Sequence, residues 1–330
     1  MGKLRKRMLT ALAGVVAVTG LLSACGGGSG GSTGSGGSGG DKITMGFAQV
    51  GAESGWRTAN TKSIQESATS AGITLKFSDA QQKQANQIQA IRSYIQQRVD
   101  VIAFSPVVES GWDPVLQEAK AAKIPVILTD RAVDSKDTSL YATFLGSDFI
   151  KEGEKAGEWL VKDAGSKPTN VVEISGTTGS APALDRAEGF RNATKASPNI
   201  KIIASQTGDF TRAGGKQVME AFLKAHKDID VLYAHNDDEG LGAIEAIKAA
   251  GLTPGKDIKI ITVDAVHDGM QALADGEINY IVECNPLLGP QLMDLAKQVV
   301  DGQSIPKRVE TKETTFDQAQ AKEALPSRQY

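Results

Sequence analysis

The 330-residue chain lacks the short motifs that usually announce covalent chemistry. It has no GxxxxGK(S/T) loop to cradle phosphates; GLTPGKD (251–257) is shorter in spacing and places aspartate after the lysine. No GxGxxG opens the first helix, so a dinucleotide cofactor is not expected. No GxSxG elbow occurs, which counts against an α/β-hydrolase. The three histidines, His226, His235 and His267, do not stand at metal-ligand spacing with cysteine, so no metal site is expected. Cysteine is scarce: Cys25 and Cys284 are the two present, and no disulfide framework is expected from them. Cys284 is read as a buried, inert thiol. Beyond its first seven residues the chain has no block of Lys and Arg, and with a formal net charge of −3 it is a poor partner for nucleic acid.

What is present begins with Lys3, Arg5, Lys6 and Arg7, followed by an apolar run over 8–22. That is the layout of a secretory signal peptide, and the run is short for a spanning helix of about 20 residues. It closes on Leu22-Ser23-Ala24-Cys25, which resembles the lipobox of bacterial lipoproteins. The resemblance implies a signal peptide over 1–24 and lipidation of Cys25, whose release from the four cations would take the net charge to −7. Residues 26–40 are glycine, serine and one threonine. Such a segment buries nothing and behaves as a flexible coil with a reach of roughly 20–23 Å. The expectation is an exported protein, lipid-anchored on the outer face of the cytoplasmic membrane, with 25–40 as its leash.

About 290 residues follow from Asp41, more than one core usually serves, so two domains are expected. Short β-branched runs alternate with amphipathic stretches: ITMGFA (43–48), ITLKFS (73–78), DVIAF (100–104) and IPVIL (124–128), then NVVEIS (170–175), IKIIASQ (200–206), DVLYAH (230–235), IKIITV (258–263) and INYIVE (278–283). Ile88, Ile91 and Ile95 recur between two of them at helical spacing. This alternation predicts an α/β fold, parallel sheets with helices on both faces. The halves echo each other, VDVIAFSP (99–106) with IDVLYAHND (229–237) and KIPVILTDRAVD (123–134) with DIKIITVDAVHD (257–268). Two similar lobes are therefore expected, with LYATFLG (140–146) as a strand-like crossing between them.

Ligands of open α/β sheets bind beyond the carboxyl ends of strands. The residues there are QVGAESGWR (49–57), Ser105-Pro106, Asp130-Arg131, SGTTGS (175–180), Asn236-Asp237, Asp264 and Glu283. Carboxylates accept hydrogen bonds, a guanidinium donates through a planar fork and an amide does both, which suits sugar hydroxyls. Trp56 and Phe210 stand close by in sequence to cover apolar C–H faces. A helix start at SGTTGS could offer N–H groups to a ligand oxygen. These residue types point to a neutral, polyhydroxylated ligand.

The lipobox, ESGWR, TDR after a strand, GTTGSAPALDRAEGF (176–190), GDFTR, HNDD and TVDAVHDGM together resemble the ribose/galactose-type solute-binding proteins of ABC sugar importers, from about Ile43 to the C-terminus. GWR, SLYAT, LYAHNDD and TPGKDI are most similar to the galactofuranose-binding branch. The resemblance implies two Rossmann-like lobes of the type I periplasmic binding protein fold, joined by three crossings near 145–147, 283–285 and 309–312. One lobe would take 41–145 with 284–309, the other 146–283 with 310–330. It implies sugar contacts from Glu53, Ser54, Trp56, Arg57, Ser105, Asp130 and Arg131 in the first lobe, and from Thr177, Arg186, Phe210, Asn236, Asp264 and Glu283 in the second. Ribose binders of the family tend to carry paired phenylalanines at Trp56-Arg57, asparagine at Ser105 and glutamine at Glu283, so another sugar is expected here. The implied function is a non-enzymatic monomer that closes on a monosaccharide and presents it to the permease and ATPase subunits of an importer. A sugar sensor engaging a receptor, or a glycoside-processing enzyme built on Asp130, Asp264 or Glu283, are the alternatives.

Overall fold

A computed structural model describes residues 42–330. The expected signal peptide, Cys25 and the Gly/Ser leash lie outside the described residues. Parallel strands covered on both faces need near-continuous apolar stretches, and the chain supplies two sets. The first sheet contains β1 (Thr44–Gln49), β2 (Thr74–Asp79), β3 (Val101–Phe104), β4 (Val126–Thr129), β5 (Thr143–Gly146) and the late strand β11 (Arg308–Glu310). Its order is β11-β5-β4-β3-β1-β2, and every pairing is parallel. The second contains β6 (Thr169–Ser175), β7 (Ile200–Thr207), β8 (Val231–Ala234), β9 (Lys259–Asp264), β10 (Tyr280–Glu283) and β12 (Thr315–Phe316). Its order, β12-β10-β9-β8-β6-β7, repeats the first, except that β12 runs antiparallel to β10.

Helices α1 (Gly55–Ala71), α2 (Gln84–Gln96) and α3 (Asp113–Ala121) connect the first set of strands. The second set carries α4 (Phe149–Ala164), α5 (Ala181–Thr194), α6 (Arg212–Ala225), α7 (Asp237–Ala249) and α8 (His267–Ala274). Then α9 (Gly289–Val300) returns to pack on α1, and α10 (Gln318–Ala324) packs on α8. Among the described residues no helix is long and apolar enough to cross a membrane. The internal echo has a structural basis: Asp100 Oδ2 accepts from Thr44 N and Asp230 Oδ2 from Asn170 N, each at 2.7 Å, tying the two equivalent strand starts.

The chain passes between the sheets three times, at 147–148, 284–288 and 311–314. The stretch expected to cross, 140–146, instead ends as β5, hydrogen-bonded between β4 and β11 in the first sheet. The crossing begins one residue later because Thr143, Phe144 and Leu145 are buried in that lobe. One carboxylate joins all three passages. Glu313 Oε1 accepts from Thr311 Oγ1 at 2.7 Å, from Asn285 N at 3.1 Å and from the Ser147 hydroxyl.

Candidate functional site

Both sheets aim the carboxyl ends of their strands at one cavity lined by residues of both lobes. In the first lobe, Ser54 caps α1 by accepting from Arg57 N at 3.1 Å, which sets Trp56 and Arg57 in the first helical turn. Arg57 is the centre of this half. Its Nε donates to Glu53 Oε1 at 3.0 Å, Nη2 to Asp130 Oδ2 at 2.6 Å and Nη1 to Gln49 Oε1 at 3.2 Å. Burial would lower the Arg57 pKa, but Asp130 and Glu53 outweigh it and hold the cation above its ordinary range. Arg131 donates to Val107 O at 3.2 Å and lies 3.5 Å from Glu53 Oε1. Burial, then the neighbouring Arg57 charge, lower its pKa to about 10, so it stays cationic at neutral pH.

The second lobe builds its half differently. Gly153 and Gly189 let α4 and α5 touch backbone to backbone; a Cβ on Gly153 would fall 2.2 Å from Arg186 O. That closeness places Arg186 Nε 2.7 Å from Glu152 Oε2, while Nη1 donates to His235 O at 2.7 Å and Nη2 sits 3.9 Å from Asp264 Oδ1. Burial pushes Glu152 up to about 8 and holds Asp264 well above the usual carboxylate range. Asn236 accepts from Glu239 N at 2.8 Å as the cap of α7 and donates to Phe210 O at 3.1 Å, which leaves one amide hydrogen for a ligand. The Phe210 ring lies against Gly176, whose Cβ would fall 1.9 Å from Cζ.

Across the cleft the Arg131 guanidinium stands 5.2 Å from the Phe210 ring centre, and Arg57 stands 4.7 Å from that of Trp56. Asp130, Phe210 and Asp264 have φ of 61°, 61° and 122°, left-handed backbone that non-glycine residues adopt only where surroundings enforce it. Among the described residues, Glu53 Oε2 and Arg131 Nε are buried without a hydrogen-bond partner, Arg131 Nε lying 3.8 Å from Asp130 Oδ2. The array lines the cavity with three guanidinium groups, Arg57, Arg131 and Arg186, and three carboxyls, Glu53, Asp130 and Asp264. It offers donors, acceptors and aromatic faces to an uncharged polyol.

Glu53, Ser54, Trp56, Arg57, Asp130, Arg131, Arg186, Phe210, Asn236 and Asp264 line this cavity. Ser105 stands behind it, donating to Asp130 Oδ2 at 2.9 Å. Thr177 does not line it; its carbonyl accepts from Ser180 at the entry to α5. Glu283 is likewise displaced from the expected position. Its carboxylate accepts from Arg328 Nη1 and Tyr330 Oη, both at 2.9 Å, and from Thr314 N at 3.0 Å. Cys284, one residue on, lines the cavity, because successive extended residues face opposite ways. It is buried and free, and burial, with Glu152 beside it, raises its thiol pKa. Pro182 and Cys284 are lining residues that sequence reasoning missed; the parity of the strand end was the available signal for Cys284. Glu152, Cys284 and Glu313 bring donor atoms within 4.8 Å of one another. Glu152 is already bonded to Arg186 and Glu313 Oε1 already accepts three bonds, so this is a hydrogen-bonded cluster.

Residues 45–304 match the periplasmic binding protein domain family. The chain is 53% identical over 287 residues to the galactofuranose-binding protein YtfQ of Escherichia coli (strain K12), covering 86% of this chain and 90% of that protein. A crystal structure from Mycobacterium smegmatis in complex with β-D-fucofuranose superposes with a TM-score of 0.86 at 66% identity, covering 87% of this chain and 95% of that one. The binding component of the arabinose ABC transporter from Shewanella sp. ANA-3, bound to α- and β-L-arabinofuranose, gives a TM-score of 0.84 at 48% identity, covering 87% and 96%.

Proposed function

The chain belongs to the periplasmic binding protein family, and from that premise we propose that it captures one neutral, galactofuranose-like monosaccharide between its lobes and delivers it to the permease of an ABC importer. The observation that carries this reading is the shared cavity, to which each lobe brings an aromatic ring and buried guanidinium–carboxylate pairs. The furanose ligands of the relatives support the ring form. On this reading 41–145 with 284–309 make one sugar-binding lobe and 146–283 with 310–330 the other. Family membership implies export, and a lipid on Cys25 would keep the catcher at the membrane.

Binding works by closure. Sugar hydroxyls would take Glu53 Oε2, Arg131 Nε and the spare Asn236 hydrogen, groups that open lobes would leave to water. Closure also makes contacts between the lobes themselves: Gly55 N donates to Asp238 Oδ2 at 2.7 Å, and Glu109 N to Gly179 O at 3.0 Å. A ligand that adds bonds available only in the closed form shifts the population toward it. The relatives of the family are binding proteins, which supports capture without turnover.

Arg131→Ala removes two charge-assisted bonds and the cover over Phe210, and should weaken sugar binding about a hundredfold. Titration calorimetry with D-galactose, D-fucose and L-arabinose, whose furanose forms are present in solution, reads the change. Affinity equal to that of the unsubstituted protein overturns the site.

A further inference from the structure

We infer that Arg328, far from the cavity in sequence and not among its lining residues, is the positioning residue that holds the second lobe's aspartate, Asp264, in its binding geometry. This rests on the reading of the cavity as a sugar site. The end of β9 has two successive non-glycine residues with positive φ, its last residue Asp264 at 122° and the following Ala265 at 68°. Each such residue is unfavourable by itself and persists only when its neighbours over-determine it. The determinants are three. Cys284 N donates to Asp264 O at 3.1 Å, Asp237 Oδ2 accepts from Val266 N at 2.8 Å, and between them Arg328 Nε donates to Ala265 O at 2.6 Å.

Arg328 is itself locked. Nη1 donates to Glu283 Oε1 at 2.9 Å, Nη2 bonds the Tyr330 hydroxyl, and that hydroxyl donates to the same Glu283 oxygen at 2.9 Å. Two aromatic rings lie against the guanidinium, its carbon 4.0 Å from the Tyr330 ring centre and 5.3 Å from that of Phe316. Glu283 Oε2 in turn accepts from Thr314 N at 3.0 Å, in the third passage between the lobes. A planar fork fixed on three sides leaves Nε no freedom except to meet the Ala265 carbonyl. So Glu283, which stands at a strand end beside the cavity, acts on the ligand indirectly: it orients Arg328, which orients the Asp264 loop. A glutamate here also explains the choice over a neutral amide, since only a carboxylate pairs with the guanidinium charge.

The test is a double-substitution cycle in the full chain, with D-galactose and D-fucose affinities read by calorimetry. If Arg328 acts through Asp264, Arg328→Ala should weaken binding about tenfold in the unsubstituted background but less than about threefold in an Asp264→Asn background. Arg328→Lys, which keeps a cation but loses the fork that meets Glu283 and Ala265 together, should recover only part of the loss, and it also serves if the alanine variant does not fold. Independent, multiplying effects of the two substitutions, or an Arg328→Ala variant that binds as well as the parent, overturn the positioning role alone. An Asp264→Asn variant with unchanged affinity overturns the site reading and this inference with it. The melting temperature without sugar is measured alongside; a loss of affinity that merely follows a proportionate loss of stability in both backgrounds also counts against it.

Discussion

The two lobes share a strand order and differ in how they hold their charges. In the first, the polar groups of the cavity stabilise one another: Arg57 is bonded to Glu53 and Asp130, both lining the cavity, as well as to the buried Gln49. In the second, each cavity group is held from behind. Glu152 on α4 holds Arg186, the cap of α7 holds Asn236, and Arg328 holds the carbonyl next to Asp264. The difference teaches that the same topology can present a binding surface either as a self-supporting ion network or as tips of a braced scaffold. A network fails as a unit when its centre is removed, whereas a brace fails at one tip.

That contrast can be broken most forcefully at Arg57. Arg57→Ala leaves Glu53 and Asp130 buried without their main cation, a loss of about 3–5 kcal/mol of folding stability. Denaturant unfolding should register it, and sugar binding should disappear with it. A loss below about 1 kcal/mol would mean that the first lobe's carboxylates do not depend on their central cation.

A smaller effect is expected where the second lobe's scaffold is packed tightest against the site. In Gly176→Ala the new methyl would meet the Phe210 ring at 1.9 Å, an overpacking of about 1–3 kcal/mol that must move the ring. Sugar affinity should fall about tenfold with little change in the unfolding of the first lobe. Unchanged affinity would show that Phe210 does not need its present seat.

The smallest effect is one of pH. The Glu152 carboxyl titrates at about 8 when folded, against an ordinary value near 4.5. Between these values the folded state keeps a proton that the unfolded chain has released, so stability falls as pH rises. This contribution is complete below about pH 4 and gone above about pH 8. Glu152→Gln keeps an acceptor for Arg186 without titrating, and its melting temperature should decline less from pH 5 to pH 8 than that of the parent. Parallel curves would assign the pH dependence elsewhere.

Much of this was legible in advance for physical reasons. Strands buried on both faces must be apolar throughout, and open sheets place ligands at strand ends, so Arg57, Asp130, Asn236 and Asp264 could be picked out as post-strand residues. Phe210 could be picked out as an aromatic ring beside a polar cluster, and family motifs added Arg186, whose role no spacing reveals. The misplacements have one origin. Glu283 ends β10 and Cys284 follows it; which of them faces the cavity depends on where the strand's alternation stops, a matter settled by pairing with β9 and β12. Likewise Ser105 stands behind Asp130 because Asp130 turns through left-handed backbone toward Arg57.

The amino-acid order by itself determined the repeated β/α plan, the two echoing halves and the kinds of group available to a ligand, because these follow from local periodicity and side-chain chemistry. Only the tertiary structure decided that Arg57 meets Asp130 across 73 residues, that Glu313 ties three passages at one oxygen, and that Glu283 serves Arg328 instead of the cavity. Those outcomes depend on which buried charge finds a partner when distant segments close on one another, and no local pattern encodes that distance.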